Sequence, residues 1–411
     1  MDDIWDDSTF LLTIALWSGL LVILKRKQRK QRRFWVRPIY ENRCQQGDFV
    51  ALFQVLKDDS KMFFKYTRMT LECFYILLEM ISPKLEKQNW RALPPELRLS
   101  LTLRYLATGD QVSLAMAYRI GESTVRAIIK ETTKAISSVL LPKILQPPSV
   151  ADFMRISAGF LEKWNFPNCL GSFGGKHCVI QALSRSGSLY HNYKKTFSIV
   201  LMAACDSNYK FTLVNIGSYG SQNDAGIFYE SEFGSMLRSQ KLNVLRKKEK
   251  LPGSNETAGY FFIGDEGFPL SMNLMRPYSG RNLNENKNIF NYRLSRARRM
   301  IENAFGILVS RWRVLRKPIC MHPNTVDSII LSTICLHNFL KSFEEQQSAT
   351  YNRVYCPPNF TDVENNGDVI NGAWRENDVH IQGIPNKANH AMLVEPQLKH
   401  MNNEINSQII F

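Results

Sequence analysis

Three acidic residues, Asp224, Asp265 and Glu302, have the chemistry and the placement expected of a metal-dependent hydrolase. Asp224 follows one strand-like segment, Asp265 ends another, and Glu302 lies midway along a helical pattern, beside its apolar stripe. Carboxylate oxygens are the ligands that Mg²⁺ and Mn²⁺ prefer, and these ions can activate water against a phosphodiester. The sequence therefore predicts a centre for one or two divalent metal ions if folding brings the three side chains together.

Each carboxylate also has an ordinary structural interpretation. Asp224 could be the N-cap of a short helix that begins near Ala225. Asp265 could be a turn residue before Gly267, and Glu302 could pair with Arg298 or Arg299 one turn earlier. For each residue alone the structural interpretation is preferred. The joint placement of the three favours a functional site.

Strand periodicity positions the first two carboxylates. The predicted strands cover residues 169–173 with an extension through 177–183, and then 197–205, 211–216 and 260–264. A turn sequence at 206–210 makes the second and third strands a hairpin, which places Asp206 at the far edge of the sheet. If the fourth strand runs parallel to the first, Asp224 and Asp265 converge at one edge.

The remaining pattern divides the chain into four regions. Residues 1–45 carry an apolar helix and a basic run, and residues 46–150 show helical periodicity. Strands followed by helices in 151–345 predict a mixed α/β domain, and the Asn- and Pro-rich residues 346–411 predict a flexible tail.

Within the helical region, two predicted helices are joined by a short turn that contains Gly121. The second helix carries Arg126 and Lys130, so the pattern is that of a helix-turn-helix DNA-binding unit. Plain helical bundles use the same pattern, and simple core packing is an equal alternative.

Composition favours a polyanionic partner. The chain has 52 Lys and Arg against 37 Asp and Glu, a net charge of +15, with an apolar fraction of 44% that excludes a wholly disordered or multi-span membrane protein. Eight cysteines without a CxxC pair indicate reduced thiols rather than a disulfide scaffold. The arginines predicted to contact DNA from the strip 276–316 are Arg293, Arg296, Arg299, Arg311 and Arg313. A solvated helix face is the alternative for this strip.

The amino-terminal apolar run, residues 10–24, is followed by seven positive charges in residues 25–33. Fifteen helical residues span roughly 22 Å, less than the ~30 Å hydrocarbon core of a bilayer. We therefore expect a short helix that docks on the body or on a partner, a nuclear-import or phosphate-binding run, and no stable membrane association.

Four ordered motifs resemble the Harbinger-type transposase-derived nuclease family. They are Gly171-Ser-Phe-Gly-Gly-Lys-His177, Gly220-Ser-Gln-Asn-Asp224, Gly264-Asp-Glu-Gly-Phe-Pro-Leu270 and Ser295-Arg-Ala-Arg-Arg-Met-Ile-Glu-Asn-Ala-Phe-Gly306. The resemblance covers roughly residues 1–345. It implies an RNase H-like DDE nuclease fold with a mixed sheet flanked by helices, an N-terminal helix-turn-helix-like all-α domain, and metal ligands at Asp224, Asp265 and Glu302.

One motif departs from the family pattern. The family has a metal-binding Asp where this chain has Gly174, and glycine offers no ligand. We expect lower metal affinity and a lower rate of DNA hydrolysis. The alternative is a catalytically inactive DNA-binding or scaffold protein of the same lineage. The resemblance further implies a nuclear location, a separate Myb-like DNA-binding partner and a homo-oligomer as a possible state.

Overall fold

The computed structural model describes residues 7–27, 34, 36–89, 91–239, 241–242, 248–253, 255–346, 354–365 and 368–376. Its strands are β1 (Cys169–Val179), β2 (Ser198–Cys205), β3 (Phe211–Tyr219), β4 (Glu249–Lys250), β5 (Thr257–Ala258), β6 (Phe261–Ile263), β7 (Leu274–Met275), β8 (Val363–Asn365) and β9 (Asp368–Ile370). The fold is a mixed α/β fold, and β1 is the central strand of its main sheet.

Sixteen helices surround or precede that sheet in the described part of the chain. The helices before β1 are α1 (Asp7–Lys27), α2 (Pro38–Glu41), α3 (Arg43–Gln46), α4 (Asp48–Ala51), α5 (Phe53–Leu56), α6 (Ser60–Thr67), α7 (Leu71–Leu85), α8 (Pro95–Thr108), α9 (Gln111–Ala117), α10 (Glu122–Ile144) and α11 (Val150–Trp164). Those after it are α12 (Asp224–Glu230), α13 (Glu232–Arg238), α14 (Glu285–Arg311), α15 (Pro323–Gln346) and α16 (Ala373–Glu376), with a 3₁₀ turn at Arg313–Arg316.

The main sheet has five strands in the order β3-β2-β1-β6-β7. β1 to β3 form an antiparallel meander, and β6 pairs with β1 in parallel, with Ser172 opposite Ile263. This topology confirms the predicted hairpin, and β6 has the parallel pairing with β1 on which the convergence of Asp224 and Asp265 depends. As a result, the carboxyl ends of β3 and β6 lie at the same edge of the sheet.

β1 is covered on both faces because successive side chains of a strand point in opposite directions. On one face Phe173 contacts the rings of Phe228, Phe233, Phe262 and Phe268, with centroids 5.0 to 6.0 Å apart. On the other face α14 crosses the strand. This aromatic cluster holds α12, α13 and β6 together, and those are the elements that carry Asp224 and Asp265.

The helical region and the sheet region share one apolar core. The second half of α10 packs along α15, and the Asn338 amide of α15 donates to the Ile144 carbonyl at the end of α10. α9 and α10 are joined by the turn 118–121, so the predicted order of helix, turn and helix is present. The described helical region is therefore built against the sheet region rather than separate from it.

Helix α1 contains the predicted amino-terminal apolar run. All side chains from residue 11 to 21 are exposed, so this part of α1 does not dock on the body of the protein. None of the described helices has both the length and the apolar character needed to span a bilayer. Most of the basic run 25–33 lies outside the described residues, and contact of α1 with a partner remains a prediction.

The prediction of a flexible tail after residue 346 is wrong for residues 354–365 and 368–376, which we call the strap. Tyr355, Phe360, Asp362 and Trp374 are buried, and the Asp362 carboxylate is held by the Arg375 guanidinium at 2.5 to 3.0 Å. Sequence pattern missed the strap because its apolar residues follow no helical or strand period. Residues 377–411 lie outside the described part of the chain.

The strap packs on α14 directly beyond Glu302. The side-chain amide oxygen of Asn303 accepts from the Trp374 indole N–H at 3.2 Å, and the Asn303 amide donates to the Asp362 carbonyl at 3.3 Å. The Trp374 ring also covers Gly306, where a Cβ would lie within 2.6 to 2.8 Å of ring atoms. The strap therefore fixes the half of α14 that follows Glu302.

We predict that Trp374→Ala lowers the free energy of unfolding by about 3 kcal/mol or more, as truncation of a buried aromatic side chain does. The measurement is the urea unfolding transition of the full chain. Val369→Ala, at an exposed position of the same strap, is the matched control and should change little. Equal, small effects of both substitutions would show that the strap is not part of the folded body.

His337 on α15 is fully buried and neutral. Its Nε2–H donates to the Tyr209 carbonyl at 2.8 Å, and the Tyr355 hydroxyl donates to its Nδ1 at 3.0 Å. Burial lowers the pKa of His337 to about 3, and the positive charge of Lys341 acts in the same direction. Tyr355 of the strap and Tyr209 of the loop between β2 and β3 are therefore both hydrogen-bonded to an imidazole that stays neutral in the folded protein.

The free energy of unfolding should decrease as the pH is lowered, because of this histidine. Between pH 6.5 and 4.5 the unfolded chain binds a proton at His337 and the folded chain does not, so acid favours unfolding by up to about 1.4 kcal/mol per pH unit. We expect His337→Gln to reduce the slope of unfolding free energy against pH by that amount. An unchanged slope over that range would show that His337 titrates normally in the fold.

Candidate metal centre

Asp224 is the first residue of α12, and its carboxylate lies over β1. The N-cap is the preceding residue, Asn223, whose side-chain oxygen accepts from the Gly226 amide at 2.7 Å. The N-cap role that could have explained Asp224 is therefore filled by another residue. A Cβ on Gly175 would lie only 2.6 Å from Oδ1 of Asp224, so glycine at this position is what allows the carboxylate to approach the strand.

Asp265 follows β6 and turns the chain back toward Asp224. Its Oδ1 accepts from the Gly267 amide at 2.9 Å, which is the turn role considered from the sequence. A Cβ on Gly267 would lie 3.0 Å from Oδ1 of Asp265 and 3.8 Å from Oδ2 of Asp224. The two carboxylates thus flank one glycine at the same edge of the sheet, as the strand order requires.

The electrostatics of this pair favour a cation. Burial raises the pKa of Asp224, and the nearby negative charge of Asp265 raises it further. Within the described ranges, no Lys, Arg or His forms an ion pair with either carboxylate. Two acidic groups that destabilise each other's charge and lack a counter-ion are suited to a divalent metal ion.

Glu302 is held apart from this pair by a neighbour on its own helix. Its Oε1 lies 2.6 Å from a terminal nitrogen of Arg298, one turn earlier on α14, which matches the ion-pair interpretation. Over the residues that the structure describes, no three His, Cys, Asp or Glu side chains are close enough to share a metal ion. The structure therefore brings Asp224 and Asp265 together and leaves Glu302 outside their immediate group.

Gly174 faces α14, opposite to the direction of Gly175. A Cβ on Gly174 would lie 3.1 and 3.2 Å from two carbons of Ile301 and 3.4 Å from the ring of Phe305. A side chain there would extend toward the helix that carries Glu302. In this chain the space is closed by apolar packing, so the first expected ligand is absent and its place is filled.

His177, two residues after Gly175, serves the structure. Its Nδ1 forms a hydrogen bond of 2.8 Å with the Ser198 hydroxyl, and its ring packs edge-on against Tyr193. Burial, with the positive charges of Lys194 and Lys176, lowers its pKa. These contacts give His177 a structural role in hydrogen bonding and packing.

Three of the predicted DNA-binding arginines lie on the first half of α14. Arg293, Arg296 and Arg299 are half-buried, and the Arg296 guanidinium lies 5.7 Å from the ring centre of Tyr292. Burial and the charge of Arg296 lower the pKa of Arg293. These cations lie on α14, which crosses the face of β1 opposite to the one that Asp224 approaches.

The other two arginines of the strip differ from each other. Arg311 is used inside the protein, since its Nε and Nη2 donate to the Tyr355 and Val354 carbonyls of the strap at 2.7 and 3.1 Å. We therefore assign Arg311 to packing rather than to a DNA surface. Arg313 lies in the 3₁₀ turn and is exposed.

Arg126 and Lys130 are exposed on the first turns of α10. They line an open groove whose other wall comes from the sheet region, including Gln181 at the end of β1 and His322 before α15. The part of α10 that a helix-turn-helix would present to DNA is therefore open to solvent, beside the sheet region.

Sequence reasoning did not identify Gly175, Asn223 or Gly267 as parts of the site. The Gly-Gly pair at 174–175 was a usable signal, because paired glycines in a strand often mark a close approach of another group. The sequence allowed Glu302 either an ion pair with Arg298 or Arg299 or a role as metal ligand, and the structure shows the ion pair with Arg298.

Comparison with known proteins gives a family match and a relative. Residues 173–338 match the family described as DDE superfamily endonuclease. A protein of Arabidopsis thaliana, Protein ALP1-like, is 29% identical over 255 residues, which are 61% of this chain and 61% of that protein. The chain thus covers less than two thirds of that relative's length. No solved structure matches. The matched segment contains the positions of all three predicted acidic ligands.

We predict that an aspartate at position 174 creates a metal ligand only when α14 is trimmed to receive it. Gly174→Asp alone should cost about 1–3 kcal/mol of stability through overpacking against Ile301. In an Ile301→Ala background, the same change should tighten Mn²⁺ binding by about tenfold or more, equal to about 1.4 kcal/mol. Electron paramagnetic resonance titration of Mn²⁺ measures the affinity.

The matched control is Gly174→Asn in the same Ile301→Ala background, because it has nearly the same volume without the charge. Equal Mn²⁺ affinity of the Asp and Asn variants would place position 174 outside the metal centre. Gly175→Ala provides a second check, since it should displace the Asp224 carboxylate and weaken metal binding.

Proposed function

We propose that this chain is a transposase-derived, DDE-type nuclease that acts on DNA and whose metal-dependent phosphodiester hydrolysis is impaired by Gly174. The observation that carries the proposal is the pairing of Asp224 with Asp265, at one sheet edge, inside the segment that matches the DDE superfamily endonuclease family. The finer assignment to an RNase H-like, Harbinger-type lineage rests on the four ordered motifs.

Asp224 and Asp265 are the residues that would hold a divalent metal ion, Mg²⁺ or Mn²⁺. When bound, such an ion supplies activation of water and charge stabilisation of the leaving 3′ oxygen. Glu302 can join this pair only by giving up Arg298, which now holds it at 2.6 Å. Released from Glu302, Arg298 would be available to a phosphate oxygen.

Two features of the described residues support DNA as the partner. Arg293, Arg296 and Arg299 place positive charge on α14, and Arg126 and Lys130 place it on the exposed turns of α10. Phosphate contacts of this kind provide affinity without sequence information. We propose that the chain acts in the nucleus, and that a Myb-like partner protein contributes sequence-specific targeting and a homo-oligomer is a possible active state.

A second candidate function is a catalytically inactive DNA-binding or scaffold protein of the same lineage. The packing of Ile301 and Phe305 against Gly174 favours it, because apolar side chains have closed the position from which the first ligand would extend. The ion pair of Glu302 with Arg298 favours it too. Both candidates share the DNA surface and differ only in turnover.

A plasmid-nicking assay with Mg²⁺ or Mn²⁺ separates the two candidates. We expect slow nicking by the parent chain and faster nicking by Gly174→Asp in the Ile301→Ala background, with Gly174→Asn in that background as control. Asp265→Asn should abolish the parent's activity and leave DNA affinity, measured by fluorescence anisotropy, nearly unchanged.

Nicking that persists in both Asp224→Asn and Asp265→Asn would place the catalytic centre elsewhere and contradict the proposal. Complete inactivity of the parent, with activity restored at position 174, would establish the inactive DNA-binding candidate.

A further inference from the structure

Five arginines meet where the helical region joins the end of α14, in a group that we call the arginine cluster. They come from four elements of the chain, since Arg313 and Arg316 share the 3₁₀ turn, and they are Arg68, Arg104, Arg311, Arg313 and Arg316. The Arg104 guanidinium lies 4.4 Å from the ring centre of Tyr66, and that of Arg311 lies 5.2 Å from the ring centre of Phe64. Both rings belong to α6, and Arg68 is the C-cap of that helix.

Arg68 lies at the centre of this concentration of charge. Burial lowers its pKa to about 10, and the positive charges of Arg313, Arg311, Arg104 and Arg316 act in the same direction. Its Nε is buried without a hydrogen-bond partner among the residues that the structure describes. Such a group costs free energy in the isolated protein.

Two carboxylates act electrostatically on members of the cluster. Asp48 faces Arg104, and Glu344 faces Arg311, whose donors are occupied by the strap. Arg316 directs its Nε to the Val309 carbonyl at 3.2 Å. Arg313 is exposed, which gives the cluster an opening to solvent.

The backbone at Arg68 is held in a conformation that arginine rarely adopts. Its φ is 65° and ψ is 19°, the left-handed region in which helix C-caps are usually Gly or Asn. A glycine or asparagine would fit this backbone better and would remove the repulsion. The guanidinium at this position therefore lowers stability in two ways, which is typical of a binding site rather than of packing.

We propose that the arginine cluster is a phosphate-binding site in which Arg68 and Arg313 contact the phosphodiester backbone of DNA, whereas Arg311 holds the strap and adds only its positive charge. Guanidinium groups match phosphate in geometry and charge, and several within one small volume require a ligand with more than one negative charge. The site is separate from the carboxylates, because Arg311 lies nine residues, or roughly 13 Å of helix, beyond Glu302. This inference rests on the proposed function for the identity of the ligand.

The first test compares thermal stability in sodium phosphate and in sodium chloride at equal ionic strength. The parent chain should be stabilised by phosphate, whereas Arg68→Asn and Arg313→Gln should lose that response. Arg68→Asn should also be more stable than the parent without phosphate, since it relieves both the repulsion and the backbone strain. A structural arginine would show the opposite change, and an equal phosphate response in all variants would overturn the site.

The second test measures the affinity for a short DNA duplex as a function of salt. Loss of one phosphate contact in Arg313→Gln should reduce the slope of log affinity against log salt by about 1. Lys65→Gln, an exposed charge of the same sign on α6, is the matched control and should leave the slope unchanged. Unchanged slopes in Arg68→Asn and Arg313→Gln would overturn DNA as the ligand.

The two tests keep this inference distinguishable from the proposed function. Absence of DNA binding by the parent, with a phosphate response that Arg68→Asn removes, would contradict the proposed function and the DNA assignment while leaving a site for free phosphate. DNA binding with normal slopes in the cluster variants would overturn only the inference.

Discussion

The arrangement depends above all on the contact between α14 and β1. Gly174 and Ser172 face the helix, so Ile301 lies directly on the strand and the Ser172 hydroxyl donates to the Arg298 carbonyl at 3.3 Å. This close approach fixes the height of Glu302 above the sheet. The strap secures the following turns of α14 through Asn303 and Gly306. A substitution on either side of this contact would therefore displace the acidic residues even where it does not contact them.

The same contact explains why the centre combines intact and missing parts. The face of β1 that carries Phe173 and Gly175 retains its aromatic support and the Asp224–Asp265 pair. On the face toward α14, Gly174 packs against Ile301 and Phe305, and Glu302 pairs with Arg298. On the other face, the carboxylate of Asp224 lies beside the negative charge of Asp265, which raises the pKa of Asp224 further than burial alone does.

Positive charge is organised in three places rather than along one strip. One lies on the first half of α14, another on the exposed turns of α10, and the third is the arginine cluster at the end of α14. Residues 303–310, in the last third of α14, pack inside the protein, because nearly all of them are buried. In the proposed complex with DNA, the three basic surfaces would contact different phosphates of the same backbone.

Local pattern was enough to predict four of the five strands of the main sheet and the hairpin of the second and third, because period-2 alternation and turn residues act over a few positions. The tertiary structure added β7 and decided the parallel pairing of β6 with β1, which brings Asp224 and Asp265 to one edge. It also identified Gly174 as a departure from a family pattern. Only the tertiary structure decided that Asn223 rather than Asp224 caps α12, that Glu302 pairs with Arg298, and that Arg311 is internal. The strap and the arginine cluster could likewise not be predicted from the sequence, because they bring together residues tens to hundreds of positions apart. Such contacts depend on how close-packed helices and strands meet in space, and the local periodicity of the sequence carries no information about that packing.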